Sequence, residues 1–139
     1  MVKAKEIMTR NVLTVREGTP IEKAIELLAE LSVTGLPVVN EYKNLLGVIT
    51  EQDVMHLFFD ESSLIFSSQT ERNKTVRDYM TTPAVFFDEN EGVLEVCKCL
   101  QDSHFRRVPI VAHGMLTGVI SRQDIIKYVL RQRRNNFRQ

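Results

Sequence analysis

The sequence predicts a mixed α/β protein (α+β) made of two copies of one small unit, each with the order strand, helix, strand, strand, helix (βαββα). Three observations support this prediction. The phrase GVITEQDV at 47–54 recurs as GVISRQDI at 118–125, and the dipeptide Met-Thr at 8–9 recurs at 80–81. Between these landmarks, each copy places apolar residues first at helical spacing and then in two short runs typical of buried strands.

The repeats divide the chain of 139 residues into a first copy at 1–59, a linker at 60–73, a second copy at 74–130 and a basic tail at 131–139. A unit of this size, about 55 residues, buries too little surface to be secure by itself. We therefore expect the two copies to pack sheet against sheet about a pseudo-twofold axis and to share one core.

The elements of the first copy follow from apolar spacing and turn residues. Thr19, Pro20 and Glu22 predict the start of its first helix, because a hydroxyl caps the helix, proline suits the first position and the acid completes a capping box. The predicted elements are, in order, a strand at 11–15, this helix through Leu31, strands at 36–40 and 45–50, and a second helix at 51–59.

The second copy predicts the same order, with strands at 83–87, 108–112 and 115–121 and a closing helix at 122–134. Its first helix places Val93, Val96, Cys97 and Leu100 on one apolar face, so Cys97 is expected to be buried. Cys99 points about 200° away on a helix, so the two thiols can share neither a disulfide nor a metal ion. We expect both to stay reduced in a cytoplasmic protein.

Composition narrows the function classes. Lys and Arg total 18, as do Asp and Glu, and this balance argues against a dedicated nucleic-acid binder. No apolar run predicts a membrane span, and the first ten residues contain no hydrophobic signal core. The chain also lacks the common phosphate-loop, zinc-protease and serine-hydrolase motifs. We therefore expect no catalytic residues, no metal site and no enzymatic activity.

The repeated phrase places a hydroxyl and a carboxylate at the start of a helix: Thr50 and Asp53 in one copy, Ser121 and Asp124 in the other. One interpretation is structural, since this spacing forms a capping box. The other is a ligand site, since a helix N-terminus attracts phosphate and a carboxylate accepts hydrogen bonds from neighbouring ribose hydroxyls. The preceding glycine admits either another backbone or a flat base.

These features together resemble a pair of CBS (cystathionine-β-synthase) domains, known as a Bateman module. The resemblance rests on IMT, VLTV, GLPVVN and LLGVITEQDV in the first copy and on YMT, AVFF, RRVPIVA and LTGVISRQDI in the second, and it covers most of the chain. It implies a regulatory module for an adenosine-containing ligand, AMP, ADP or ATP, with S-adenosylmethionine or NAD as alternatives. No cofactor is required.

The resemblance also implies which residues line the ligand sites. Thr50 and Asp53, and Ser121 and Asp124, match the ribose and phosphate signature. The base pocket falls on Val12, Leu13, Leu36 and Pro37 in one copy and on Ala84, Val85, Val108 and Pro109 in the other. For most of these side chains the alternative is an ordinary core position, with the ligand reached through the backbone.

The two copies differ before the shared proline. The second copy has Arg106 and Arg107 where the first has Thr34 and Gly35. In the family a basic residue at this place reaches phosphate, and the planar fork of arginine suits that contact. The alternative is a solvated arginine or an ion pair. Arg122 replaces Glu51 in the repeated phrase, so the second site is expected to be the better one for phosphate.

The leading hypothesis is a nucleotide sensor that acts on an unidentified effector protein in trans. The alternative is a ligand-independent dimerisation or interaction scaffold of the same fold. The closing helices carry more apolar residues than one core needs, and the resemblance implies that such helices pack across a twofold axis, which predicts a homodimer. The basic tail either balances its helix terminus or contacts an acidic partner, nucleic acid or a membrane surface.

Overall fold

The computed structural model describes residues 1–60, 73–103 and 105–137. The linker therefore lies mostly outside the described residues, as does the end of the basic tail. The elements are α1 Ala4–Ile7, β1 Val15–Arg16, α2 Ile21–Leu31, β2 Gly35–Val39, β3 Leu45–Thr50, α3 Glu51–Asp60, α4 Val76–Tyr79, β4 Phe87–Asp88, α5 Val93–Asp102, β5 Arg107–Ala112, β6 Met115–Ser121 and α6 Arg122–Phe137. This confirms the predicted fold class, a mixed protein with two similar three-stranded sheets.

The chain forms two compact units that divide it differently from the sequence repeats. One unit comprises Leu13–Ala84 and is called here the Asp53 unit. The other comprises Met1–Val12 together with the chain from Val85 onward and is called the Asp124 unit. The first twelve residues therefore pack with the second repeat, and the start of the second repeat packs with the first.

In the Asp53 unit the sheet order is β1-β2-β3. β1 runs parallel to β2, and β2 pairs antiparallel with β3, so that Leu36 lies opposite Ile49 and Gly35 opposite Thr50. Alternation along the strands and the apolar stripe of α2 direct one set of side chains inward. The buried core comprises Val15, Ile21, Ala24, Leu28, Leu36, Val38, Ile49, Leu57 and Val76.

The Asp124 unit repeats this arrangement with the sheet order β4-β5-β6. Val108 lies opposite Ile120, and Arg107 lies opposite Ser121. The buried core comprises Ala4, Met8, Val96, Leu100, Val108, Ile110 and Ile120. Ala4 and Met8 come from the opening segment of the chain, so that segment is part of this core.

The segments 1–12 and 74–84, called here the exchanged segments, each pack with the other repeat, and backbone hydrogen bonds hold each of them in its unit. The N–H groups of Ala4 and Lys5 donate to the carbonyl oxygens of Glu91 and Glu89 at 2.8 and 2.9 Å. In the Asp53 unit, Val76 N–H donates to the carbonyl oxygen of Thr19 at 2.9 Å. The short helices α1 and α4 are thereby anchored at equivalent turns, which follow β4 and β1.

Some local predictions were wrong. The strands expected at 11–15 and 83–87 reduce to Val15–Arg16 and Phe87–Asp88. Thr19 does not cap α2. Its hydroxyl accepts from the N–H of Arg16 at 3.2 Å, and Pro20 is the cap residue.

Cys97 is less buried than the sequence predicted. Both Cys97 and Cys99 are half-buried, and Cys99 packs beside the core of the Asp124 unit. The two thiols flank the buried row of α5, one on each side. Partial burial raises the pKa of the Cys97 thiol, because it disfavours the thiolate.

Candidate functional site

The junction between β3 and α3 forms the capping box that the sequence allowed. The N–H and the hydroxyl of Thr50 donate to Oδ2 of Asp53 at 2.8 and 2.9 Å. The N–H of Asp53 donates back to the Thr50 hydroxyl at 3.3 Å. The strand ends and the helix begins here because the two residues satisfy backbone donors that the first helical turn leaves free.

The junction between β6 and α6 has the same geometry. The N–H and the hydroxyl of Ser121 donate to Oδ2 of Asp124 at 2.8 and 3.0 Å. The N–H of Asp124 donates to the Ser121 hydroxyl at 3.2 Å. The capping interpretation therefore holds in both units.

The second oxygen of each carboxylate accepts from a threonine of the exchanged segment. The Thr81 hydroxyl donates to Oδ1 of Asp53 at 2.8 Å, and the Thr9 hydroxyl donates to Oδ1 of Asp124 at 3.1 Å. These threonines were not among the predicted site residues. The repeated Met-Thr dipeptide was the one sequence signal that could have identified them.

The glycine of the repeated phrase, Gly47 or Gly118, allows the backbone of an exchanged segment to approach closely. Val48 and Thr81 exchange two backbone hydrogen bonds of 3.0 and 2.8 Å, as do Val119 and Thr9 at 2.9 and 2.8 Å. A Cβ on Gly47 would lie 2.5 Å from the carbonyl oxygen of Thr81, which is closer than real Cβ contacts. Of the two roles that the sequence left open for this glycine, the structure supports close approach of another backbone.

The residues expected at a base pocket fall into three groups by exposure. Leu36 and Val108 are core residues, only 3% and 1% exposed, and Pro37 and Pro109 are buried beside them. Val12 and Ala84 are half-buried, whereas Leu13 and Val85 are exposed.

Their distribution between the units differs from the expected one. Val12 lies in the first sequence repeat but belongs to the Asp124 unit, and Ala84 lies in the second repeat but belongs to the Asp53 unit. The exchanged segments are the reason, because each segment ends at one of these residues.

The arginines differ in what they contact. Arg106 and Arg107 are exposed, and within the described part of the chain neither guanidinium has a polar partner. Arg122 is exposed. Its guanidinium donates to the carbonyl oxygens of Leu100 and Ser103 at 3.0 and 3.3 Å, at the end of α5. Arg122 therefore stabilises a helix C-terminus.

Among residues 1–60, 73–103 and 105–137, no three His, Cys, Asp or Glu side chains come together as a metal site would require. None of the helices in these ranges is long and apolar enough to cross a membrane. What the two junctions offer is a carboxylate, a hydroxyl and a helix N-terminus, which together can accept hydroxyl donors and attract an anion.

The family model described as CBS domain matches residues 4–60 and 76–131. An uncharacterized protein of Methanocaldococcus jannaschii, MJ1225, is 33% identical over 123 residues, which are 88% of this chain and 41% of that protein. Inosine-5′-monophosphate dehydrogenase of the same organism is 30% identical over 126 residues, but these are only 23% of the enzyme.

A plant protein gives the structural comparison. The crystal structure of CBSX2 in complex with AMP has a TM-score of 0.81 and 30% sequence identity, covering 96% of this chain and 99% of that one. The curated full-length CBSX2 of Arabidopsis thaliana, a chloroplastic CBS domain-containing protein, is 27% identical, and the match spans 61% of its length. This chain therefore spans only part of the curated relatives.

Proposed function

The chain belongs to the CBS domain family, and we propose that it binds an adenosine-containing ligand and thereby regulates a partner protein. One observation carries the proposal: a structure with AMP has a similar fold over nearly the whole chain. The two junctions add support because each retains the hydroxyl and the carboxylate of the family signature.

In the proposed complex, Asp53 and Asp124 accept hydrogen bonds from the ribose hydroxyls of the ligand. The hydroxyls of Thr50 and Ser121, with the N-termini of α3 and α6, favour the phosphate. Leu36 and Val108 contact the base through their backbones, because their side chains are committed to the core. The remaining lining residues of the proposal are Val12, Leu13, Pro37, Ala84, Val85 and Pro109.

Arg106 and Arg107 are proposed to contact the phosphate of the ligand near Asp124. Both guanidiniums are exposed, so they can reach an anion without first breaking a bond to a described residue. Arg107→Ala is expected to weaken AMP binding by roughly 10-fold, the size of a charge-assisted hydrogen bond, and to spare adenosine. Calorimetric titration with both ligands tests this, and equal losses for AMP and adenosine would contradict the phosphate role.

Thermal unfolding with AMP, ADP, ATP, S-adenosylmethionine and NAD tests ligand binding itself. A ligand at 100 times its dissociation constant stabilises the native state by about 2.7 kcal/mol. A shift with one or more of these ligands is the expected result. If none of them shifts the transition, the second candidate gains support: a ligand-independent scaffold. The scaffold candidate is favoured by the fact that both carboxylates already accept hydrogen bonds from within the protein.

We also propose that the protein forms a homodimer through its closing helices. On α6, Ile126, Val129 and Leu130 are exposed on one side, and Ile126 is 59% exposed. Met55 of α3 occupies the equivalent position in the other repeat and is also exposed. A second copy is the proposed partner for these surfaces. Light scattering at micromolar concentration checks this, and a monomer mass would contradict it.

We further propose that the chain acts in trans on an effector protein and that it is located in the cytoplasm. Regulation rather than catalysis is consistent with the dehydrogenase match, which covers less than a quarter of that enzyme. Affinity capture in the presence and absence of AMP tests for an effector.

A further inference from the structure

Each carboxylate at the two junctions already has internal donors. Oδ2 of Asp53 accepts two hydrogen bonds from Thr50, and Oδ1 accepts one from Thr81. Asp124 has the same three donors, from Ser121 and Thr9. A carboxylate offers about four acceptor positions. Each aspartate therefore has about one position left.

A ribose presents two neighbouring hydroxyl donors, so one internal hydrogen bond must give way if the carboxylate is to accept both. The hydrogen bonds to Oδ2 cap the first turns of α3 and α6. Breaking them would leave the half-buried backbone N–H of Thr50 or Ser121 without a partner, which costs free energy. The bonds to Oδ1 come from Thr9 and Thr81, which are both exposed. Their hydroxyls can turn to water at little cost.

We propose that Thr9 and Thr81 compete with the ligand for Oδ1 of the aspartates and so set the affinities of the two sites. The inference rests on the proposed function. The competition differs between the sites. Thr81 lies 2.8 Å from Asp53, which is 9% exposed, whereas Thr9 lies 3.1 Å from the half-buried Asp124. The Asp124 site therefore opens more readily and binds the ligand more tightly.

The test is calorimetric titration of AMP into the full chain, comparing wild type with Thr9→Val and Thr81→Val. Valine keeps the shape of threonine and removes the competing donor. Each variant is expected to bind AMP roughly 3–10-fold more tightly at its own site, with the larger gain for Thr81→Val, since a hydrogen bond to a charged group is involved. Unchanged or weaker binding by both variants overturns the inference but leaves the proposed function intact.

Two controls isolate the hydroxyl. Thr82→Val removes a neighbouring hydroxyl that donates to the carbonyl oxygen of Leu46 at 2.8 Å and does not contact the carboxylate. Its AMP affinity is expected to equal that of wild type. Thr9→Ser and Thr81→Ser retain the competing donor and are expected to bind as wild type does. They also serve where a valine variant fails to fold, since tighter binding by the serine variants contradicts the competition.

A second ligand separates competition from indirect effects. 2′,3′-Dideoxyadenosine 5′-monophosphate lacks both ribose hydroxyls, so it gains nothing from a freed Oδ1. The advantage of Thr9→Val and Thr81→Val is therefore expected to vanish with this probe, and the same gain with both ligands overturns the inference. If neither wild type nor any variant binds AMP, the proposed function fails, and the inference fails with it.

Discussion

The Asp53 unit and the Asp124 unit build the same junction, but the facing pair of residues beside it differs between them. Gly35 lies opposite Thr50 in one, and Arg107 lies opposite Ser121 in the other. A Cβ on Gly35 would lie 3.3 Å from Cγ2 of Thr50 and 3.3 Å from the carbonyl oxygen of Ile49. The methyl group of threonine thus crowds the position that the side chain of an arginine needs. Serine lacks this methyl group.

The contact at Gly35 indicates that the two residue changes are linked. The presence of arginine in one unit and glycine in the other can be read as phosphate preference alone. The structure adds a packing reason, since the residue across the strand decides which side chain fits. A packing reason therefore stands beside the proposed phosphate preference.

The largest expected effect comes from a feature that both units share. Gly47→Ala places a Cβ 2.5 Å from the carbonyl oxygen of Thr81. This oxygen cannot easily move away, because the backbone of Thr81 is hydrogen-bonded to that of Val48. Overpacking of this kind costs about 1–3 kcal/mol, and we expect the upper end of that range. Gly118→Ala meets Sδ of Met8 at 2.6 Å and the carbonyl oxygen of Thr9 at 2.8 Å, so we expect a slightly smaller loss.

Urea unfolding of both glycine variants measures these losses of stability. Gly18→Ala is the matched control, because a Cβ there meets no atom within 4 Å. Its midpoint is expected to stay near that of wild type. A Gly47→Ala midpoint as high as that of the control would contradict the close approach of the Thr81 backbone.

The two carboxylates are expected to differ in their effect on AMP binding. Asp124→Ala is expected to weaken the proposed tight AMP site by roughly 10-fold or more, because it removes the charged group proposed to accept from the ribose hydroxyls. Asp53→Ala is expected to affect that site less, since its carboxylate lies in the other unit. Calorimetry decides between them. Loss of the tight site in Asp53→Ala with no change in Asp124→Ala would reverse the assignment.

An arginine placed opposite Thr50 tests the pairing of these two positions directly. Gly35→Arg in the presence of Thr50 is expected to destabilise the protein by about 1 kcal/mol, because the new Cβ crowds a methyl group and a backbone oxygen. Adding Thr50→Ser is expected to recover part of that loss, since it removes the methyl group. A double-mutant cycle by urea unfolding measures the coupling. Purely additive effects would mean that the two positions are independent.

Sequence reasoning predicted the repeated elements well because their signals are local. The strands β2 and β5 each contain a continuous apolar run, at 36–39 and 108–112, and α3 and α6 begin at a hydroxyl and an acid. The exchange of the opening segments was not predicted, since apolar spacing says nothing about which sheet a segment joins. For the same reason the donors to Oδ1, Thr9 and Thr81, were missed.

Side-chain burial at the edge of a helix was also hard to predict. Spacing placed Cys97 on the buried face of α5, beside Val93, Val96 and Leu100, and the structure places it at the margin of that face. A periodic pattern identifies the centre of an apolar stripe well and its borders poorly, because neighbouring segments decide how far the core extends.

The smallest expected effect concerns these thiols. Burial raises the pKa of Cys97, so less of it is thiolate at neutral pH, and the thiolate is the reactive form. We expect Cys97 in the native protein to react several-fold more slowly than Cys99 with a thiol reagent at pH 7. Raising the pH increases the thiolate fraction, so the rate of Cys97 is expected to keep rising above pH 9. Single-cysteine variants, Cys97→Ser and Cys99→Ser, assign the two rates by absorbance. Equal rates at pH 7 would show that the partial burial of Cys97 has no chemical consequence.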